Sequence, residues 1–161
     1  TYAGKRIVNG DGVSATDFAK AFIKDVIRSR REYKGSGNPT LYTTEEMLTE
    51  MLLIQDNQGR DIYTNVGQLA TKLRVKEIVT VPVMENVVRT EGTTADFTAC
   101  GILVNLADYN VGADKGGKTE FFEDFDLNYN KHEYLIESRF SGALVKPFSA
   151  ITFEKETPYV A

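Results

Sequence analysis

The chain has 161 residues, 42% of them hydrophobic, enough to bury the core of one domain or of one domain with a satellite. A formal net charge of −4, a pI near 5.1 and the lack of any long block of like charge speak against a nucleic-acid backbone or an anionic membrane as partner. The single cysteine, Cys100, excludes an intrachain disulfide and favours a cytoplasmic setting, and no apolar run approaches the about 20 residues of a membrane span.

The first residues lack the charged-then-apolar plan of a signal peptide, and the chain opens on Thr1 rather than methionine, as expected of a piece of a longer protein. Residues 1–15 carry no readable element. Over residues 16–33, Phe18, Phe22, Val26 and Ile27 recur on one stripe, which predicts a helix. Ser14, Thr16 and Asp17 are its candidate caps. Arg28, Arg30 and Arg31 crowd its last turn, where cations complement the helix dipole, and Gly35 offers a stop.

After the loop 34–39 comes a short strand, 40–42. Thr43 and Glu46 then have the spacing of a capping box and introduce a second helix with Met47, Leu48, Met51 and Leu52 on its buried face. Methionines at that spacing read as core filler, and the polar run 56–60 closes the helix as a turn. A third helix is expected over 68–73. The β-branched run 77–84 reads as a strand in which Pro82 marks an edge or a bulge, since proline donates no ladder hydrogen bond. The polar residues 90–96 read as a loop between strands. Further strands are expected at 102–106, within 121–129, at 134–136 and at 150–153. Helices first and strands later predict an α+β fold, a mixed β-sheet flanked by helices.

One motif points to chemistry. Gly112, Gly117, Lys118 and Thr119 fit the phosphate-loop pattern G-x-x-x-x-G-K-T, whose backbone amides cradle phosphates while the lysine and threonine reach the terminal phosphate and magnesium. That chemistry requires a helix directly after the threonine. Here Glu120, Glu123, Asp124 and Asp126 follow, which would repel a triphosphate, and too little chain remains for a second magnesium ligand and base-binding elements. The motif is therefore expected to be a glycine-rich turn or hairpin joining two strands. The same acidic set lacks the spacing of a calcium loop and reads as a solvated face or as ion pairs with a neighbouring subunit. Cys100 would need His132 beside it to act as a nucleophile and reads as a buried spectator. His132 reads as an exposed residue at a strand start. One histidine furnishes no metal cluster, so no catalytic residue, metal or cofactor is expected.

Several ordered phrases resemble those of tailed-bacteriophage major capsid proteins with the Hong Kong phage type shell fold. They are Gly35-Ser36-Gly37-Asn38-Pro39-Thr40-Leu41-Tyr42, Asp56-Asn57-Gln58-Gly59-Arg60-Asp61-Ile62-Tyr63, Leu69-Ala70-Thr71-Lys72-Leu73-Arg74-Val75, and the tail from Ile102 to Glu154. The resemblance implies an axial-type domain over 16–129, returning strands of a peripheral-type domain over 130–154, and a tail over 155–161. The family's amino-terminal arm, extended loop and spine helix are absent from this sequence, so the chain is expected to fold alone as a monomer. In the full-length protein the resemblance implies pentamers and hexamers of an icosahedral shell, made in the bacterial cytoplasm and enclosing DNA without sequence-specific binding. It also implies a candidate cross-link pair: in some members an asparagine bonds to a neighbour's lysine with help from a glutamate seven residues on, and Asn130 and Glu137 have that spacing. Two alternatives stay open: a nucleotide-binding protein using residues 112–119, and a protein compartment of the same fold that stores enzymes.

Overall fold

The structure, a computed structural model, describes residues 3–9, 12–91, 95–114 and 118–158. Helix α1 spans Ala15–Ser29, and of its three candidate caps Ser14 is the one used, its Oγ accepting the Asp17 N–H at 3.2 Å. Phe18, Ala19, Phe22, Ile23 and Val26 form its buried stripe. The helix stops at Ser29 instead of reaching Tyr33, its end tightening as the Arg31 N–H turns to the Arg28 carbonyl and the Glu32 N–H to the Ser29 carbonyl, both three residues back. Gly35 is no helix stop but a point of close approach, where an added Cβ would lie 2.8 Å from Asp108 Oδ2.

Strand β2, Thr40–Thr43, leads into α2, Glu45–Leu52, and the predicted capping box does not form. Thr44 caps α2, accepting the Met47 N–H at 3.3 Å, whereas Thr43 is still in the strand, buried, and donates its hydroxyl to the Cys100 carbonyl at 2.7 Å. Met47, Leu48 and Met51 are buried as expected, and the turn at 56–60 closes on the Asp56 carboxylate, which accepts the N–H groups of Gln58 and Arg60. Helix α3 is Val66–Leu73, capped by Asn65 and closed by Arg74 in the left-handed conformation, φ 59°. The strand expected over 77–84 is only β3, Ile78–Thr80. Pro82 then opens a single 3-10 turn, Pro82–Asn86, as its fixed φ and missing N–H favour.

Strands β4, Val88–Glu91, and β5, Ala95–Val104, pair antiparallel, so the loop predicted over 90–96 is mostly strand; residues 92–94 lie outside the described ones. The strand read at 102–106 is the last part of β5, followed by a 3-10 turn at Leu106–Asp108. Strand β6 is Tyr109–Ala113, β7 Glu120–Asp126, β8 Lys131–Glu137, β9 Phe140–Leu144 and β10 Ala150–Pro158. Residues 1–15 hold a strand unseen in the sequence: β1, Ala3–Asn9, parallel to β10.

The main sheet is six-stranded and mixed, in the order β1-β10-β5-β2-β3, with β4 on the first half of β5 and β2 on its second half. Ile151, Leu103 and Leu41 lie opposite one another across three strands and point into one core with the apolar stripes of all three helices. The fold is thus the α+β, helix-packed mixed sheet that the element order predicts. A register shift makes Cys100 the extra residue of a bulge in β5, with Phe153 opposite Gly101 and Glu154 opposite Ala99. Gly101 forms the floor beneath Phe22, whose Cζ would lie 2.8 Å from a Cβ there, and Phe22 meets Phe153 edge-on at 5.4 Å.

Two compact units emerge, one from the described residues of 1–108 and 144–161, the other from 109–143. The division expected at 129/130 falls inside the β7–β8 hairpin, and β10 sits within the main sheet beside β5. Among the described residues no helix is long and apolar enough to cross a membrane.

Candidate interaction surface

Of the phosphate-loop motif, residues 115–117 lie outside the described ones, and no helix follows the described part. Gly112 lies in β6, Gly117 is outside the described residues, and Lys118 and Thr119 are followed directly by strand β7 where the motif needs a helix amino terminus. Lys118 lines a recess of about 310 Å³ with Asp114, Glu120, Glu137 and Arg139, in which carboxylates outnumber cations. The segment does join two strands, β6 and β7, as expected, but not as a hairpin, since β6 pairs with β9 and β7 with β8.

Asn130 and Glu137, the candidate cross-link pair, lie at the two ends of one extended segment. Asn130 ends the β7–β8 turn in a left-handed conformation, φ 48°, and Glu137 is the last residue of β8; seven extended residues span about 23 Å. Glu137 instead accepts two hydrogen bonds from Arg139, at 2.7 and 2.8 Å. Cys100 is buried and donates to the Phe153 carbonyl, and burial pushes its thiol up to about 12, while His132 is exposed at the start of β8.

One polar cluster in the larger unit escaped the sequence reading. Asp108, 4% exposed, accepts the Ser36 N–H at 2.5 Å and the Ser36 hydroxyl at 2.7 Å, and Lys146 Nζ lies 3.3 Å from it. The two Ser36 donors, backbone first, hold the Asp108 carboxyl below the usual range against the opposing effect of burial. Asn105 donates to the Ser36 carbonyl at 2.7 Å, and the Val145 N–H donates to the Asp108 carbonyl at 3.0 Å. This cluster fastens the loop before β2 to the ends of the segment that leaves and re-enters the unit.

The smaller unit is where exposed chemistry concentrates. Its two ribbons expose Val111, Phe121, Phe122, Phe125, Tyr134, Leu135, Ile136 and Phe140, with exposures from 41% to 77%. Cross-strand register sorts β7 and β8 into two faces. Phe121 opposite Ile136, Glu123 opposite Tyr134 and Phe125 opposite His132 make one aromatic face. On it Phe121 stacks on Tyr134 at 5.8 Å, His132 lies 4.9 Å from Phe125, and the Glu123 carboxylate is 3.4 Å from His132 Nδ1. The other face pairs Glu120 with Glu137, Phe122 with Leu135, Asp124 with Glu133 and Asp126 with Lys131, so it is acidic with an apolar rung in the middle. The sequence Glu-Phe-Phe-Glu-Asp-Phe-Asp has no strict alternation, so this sorting was invisible until the partner strand was known.

Such a ribbon buries neither face on itself, and two-stranded sheets of this kind are marginal alone. Its exposed apolar and acidic side chains offer a surface for contact. No family model matches the chain, and no curated protein does. Among solved structures the chain is similar to the virus-like particle from Pyrococcus furiosus, at 13% identity and a TM-score of 0.48; the likeness covers 91% of this chain and 56% of that one. The chain thus spans little more than half the length of that structure's chain.

Proposed function

We propose that this chain is a non-enzymatic structural subunit of a closed protein shell, and more specifically of a tailed-phage or prophage capsid whose pentamers and hexamers enclose DNA without reading its sequence. The observation that carries the proposal is the unit at 109–143, a pair of β-ribbons with large apolar side chains exposed on both faces of β7–β8. Monomeric proteins seldom leave contiguous apolar patches of this kind uncovered, and a subunit meets neighbours through them. The resemblance of the phrases at 35–42, 56–63, 69–75 and 102–154 to phage capsid proteins supports the same reading, as does the helix-packed mixed sheet expected of an axial-type domain. Assembly is then a sum of many modest heterologous contacts that close into rings.

The test is negative-stain electron microscopy of the 161-residue chain expressed alone, and of any longer protein found to contain it. Rings or closed particles support the proposal, and particles free of nucleic acid by absorbance would move it to an enzyme-storing compartment. A protein that stays monomeric across concentration and salt, yet binds magnesium nucleotide, would overturn it in favour of the 112–119 motif.

A further inference from the structure

On the aromatic face of the β7–β8 ribbon six side chains stand in three rungs: Phe121 with Ile136, Glu123 with Tyr134, and Phe125 with His132. Phe121, Phe125, Tyr134 and Ile136 are all at least 41% exposed, and the rings of Phe121, Tyr134, His132 and Phe125 follow one another at centroid distances of 5.8, 6.2 and 4.9 Å. Glu123 is the one carboxylate on this face, and His132, with Nδ1 3.4 Å from it, is the one group there able to neutralise it. Tyr134 brings a phenol, which is uncharged in the neutral range. Lys131 and Glu133, the neighbours of His132 in β8, alternate to the other face and pair with each other at 2.7 Å.

The register makes this face complementary to itself. When two copies meet face to face about a two-fold axis parallel to the strands, each β7 lies on the β8 of the other copy and every rung stays level. Phe121 then meets Ile136, Phe125 meets His132, and Glu123 meets the Tyr134 hydroxyl, each contact made twice. No carboxylate faces a carboxylate, and the exposed apolar side chains cover one another. With neutral imidazoles, such a contact buries two carboxylates whose charge nothing balances, which is costly; an imidazolium beside each turns them into neutral pairs. Histidine is the side chain that changes charge between about pH 5 and 8, and His132 is the only one in the chain.

We propose that the aromatic face of β7–β8 forms a two-fold contact with the same face of a second copy, and that protonation of His132 beside Glu123 strengthens it. The proposal rests on the shell-subunit reading and names one of its contacts and the condition that tightens it. Self-complementarity selects the occupant, since the face itself supplies a counterpart for each of its own rungs. Association takes up protons, so it grows as pH falls through the histidine range.

The experiment is sedimentation velocity of the 161-residue chain between about pH 7.5 and pH 5.5, with circular dichroism confirming that each variant folds. The wild-type association constant should rise roughly tenfold or more over that range. Glu123→Gln should associate at the upper pH as strongly as the wild type does at the lower, and His132→Gln should stay weak throughout; both lose the pH response. Ile136→Lys should neither dimerise nor bind the wild type. A pH response retained in both Glu123→Gln and His132→Gln overturns the switch and assigns the response to the chain's overall charge of −4. An Ile136→Lys chain that dimerises overturns the contact, and one that binds only the wild type replaces the two-fold geometry with a face docking on a different surface. A wild type that stays monomeric throughout overturns the contact as well. In each of these cases rings or closed particles under the electron microscope leave the shell reading standing, and their absence ends both proposals.

Discussion

Asp108 shows how one side chain can hold a chain crossing together. Its carboxyl sits below the unfolded range because the charged form accepts two hydrogen bonds from Ser36. A depressed folded-state pKa contributes stability above the unfolded value, near 4, and loses it as pH falls through the folded value. Asp108→Asn should therefore be less stable than wild type at neutral pH, and the gap should close as pH drops below about 4. Urea titrations at several pH values measure this; a gap that does not vary with pH would remove the charged carboxylate from the account. Gly101 is a steric counterpart. Gly101→Val should cost about 1–3 kcal/mol in chemical denaturation, because the side chain enters the space held by the Phe22 ring, itself fully buried. Cys100, with its thiol pushed up to about 12, has almost no thiolate at pH 8, so iodoacetamide should label the folded chain far more slowly than the unfolded one. Rapid labelling without denaturant would mean that the β5 bulge opens readily.

At the level of elements, the junction of β2 and α2 separates two neighbouring threonines by role. Thr44 is the cap, and Thr44→Ala should cost about 1 kcal/mol, with Thr44→Ser recovering most of it. Thr43 is the end of a strand whose hydroxyl satisfies the Cys100 carbonyl at the bulge, so Thr43→Ser should be tolerated better than Thr43→Val, which leaves that buried acceptor short of a donor. Thermal unfolding of the four variants decides between these roles. The sequence pattern pointed to a capping box because Thr-x-x-Glu is satisfied from Thr43; whether a threonine still belongs to the strand depends on pairing with β5, which no local spacing records. The same limit explains β1, whose Ala3–Asn9 stretch has weak strand propensity and exists because β10 offers it a parallel edge.

Across the whole molecule, the core cluster draws its residues from the larger unit, and Val145 N–H meets the Asp108 carbonyl where the smaller unit departs and returns. Replacing residues 109–143 by a short glycine-rich linker should leave a chain that unfolds in a single cooperative transition by circular dichroism. The same excision should abolish any self-association of the chain. Loss of cooperative unfolding would show that the ribbons are needed for the fold and not only for contacts.

Periodic and compositional signals determined much of this protein without its structure. The apolar stripes of α1, α2 and α3, the asparagine and aspartate turns, the buried thiol and the α+β order all follow from local chemistry that a chain carries wherever it goes. The strand after Thr119, in place of the helix a phosphate loop demands, was likewise legible from its aromatic and acidic residues. What only tertiary structure decided are matters of partner and register. Ser36, Asp108 and Lys146 are far apart in sequence and meet only when the loop before β2 packs on the segment after β5. Asn130 and Glu137 share a spacing, with Asn130 in the turn before β8 and Glu137 at the strand's far end. The two faces of the β7–β8 ribbon appear only once each residue has an opposite number, because a one-residue slip in register would exchange aromatic and acidic faces entirely.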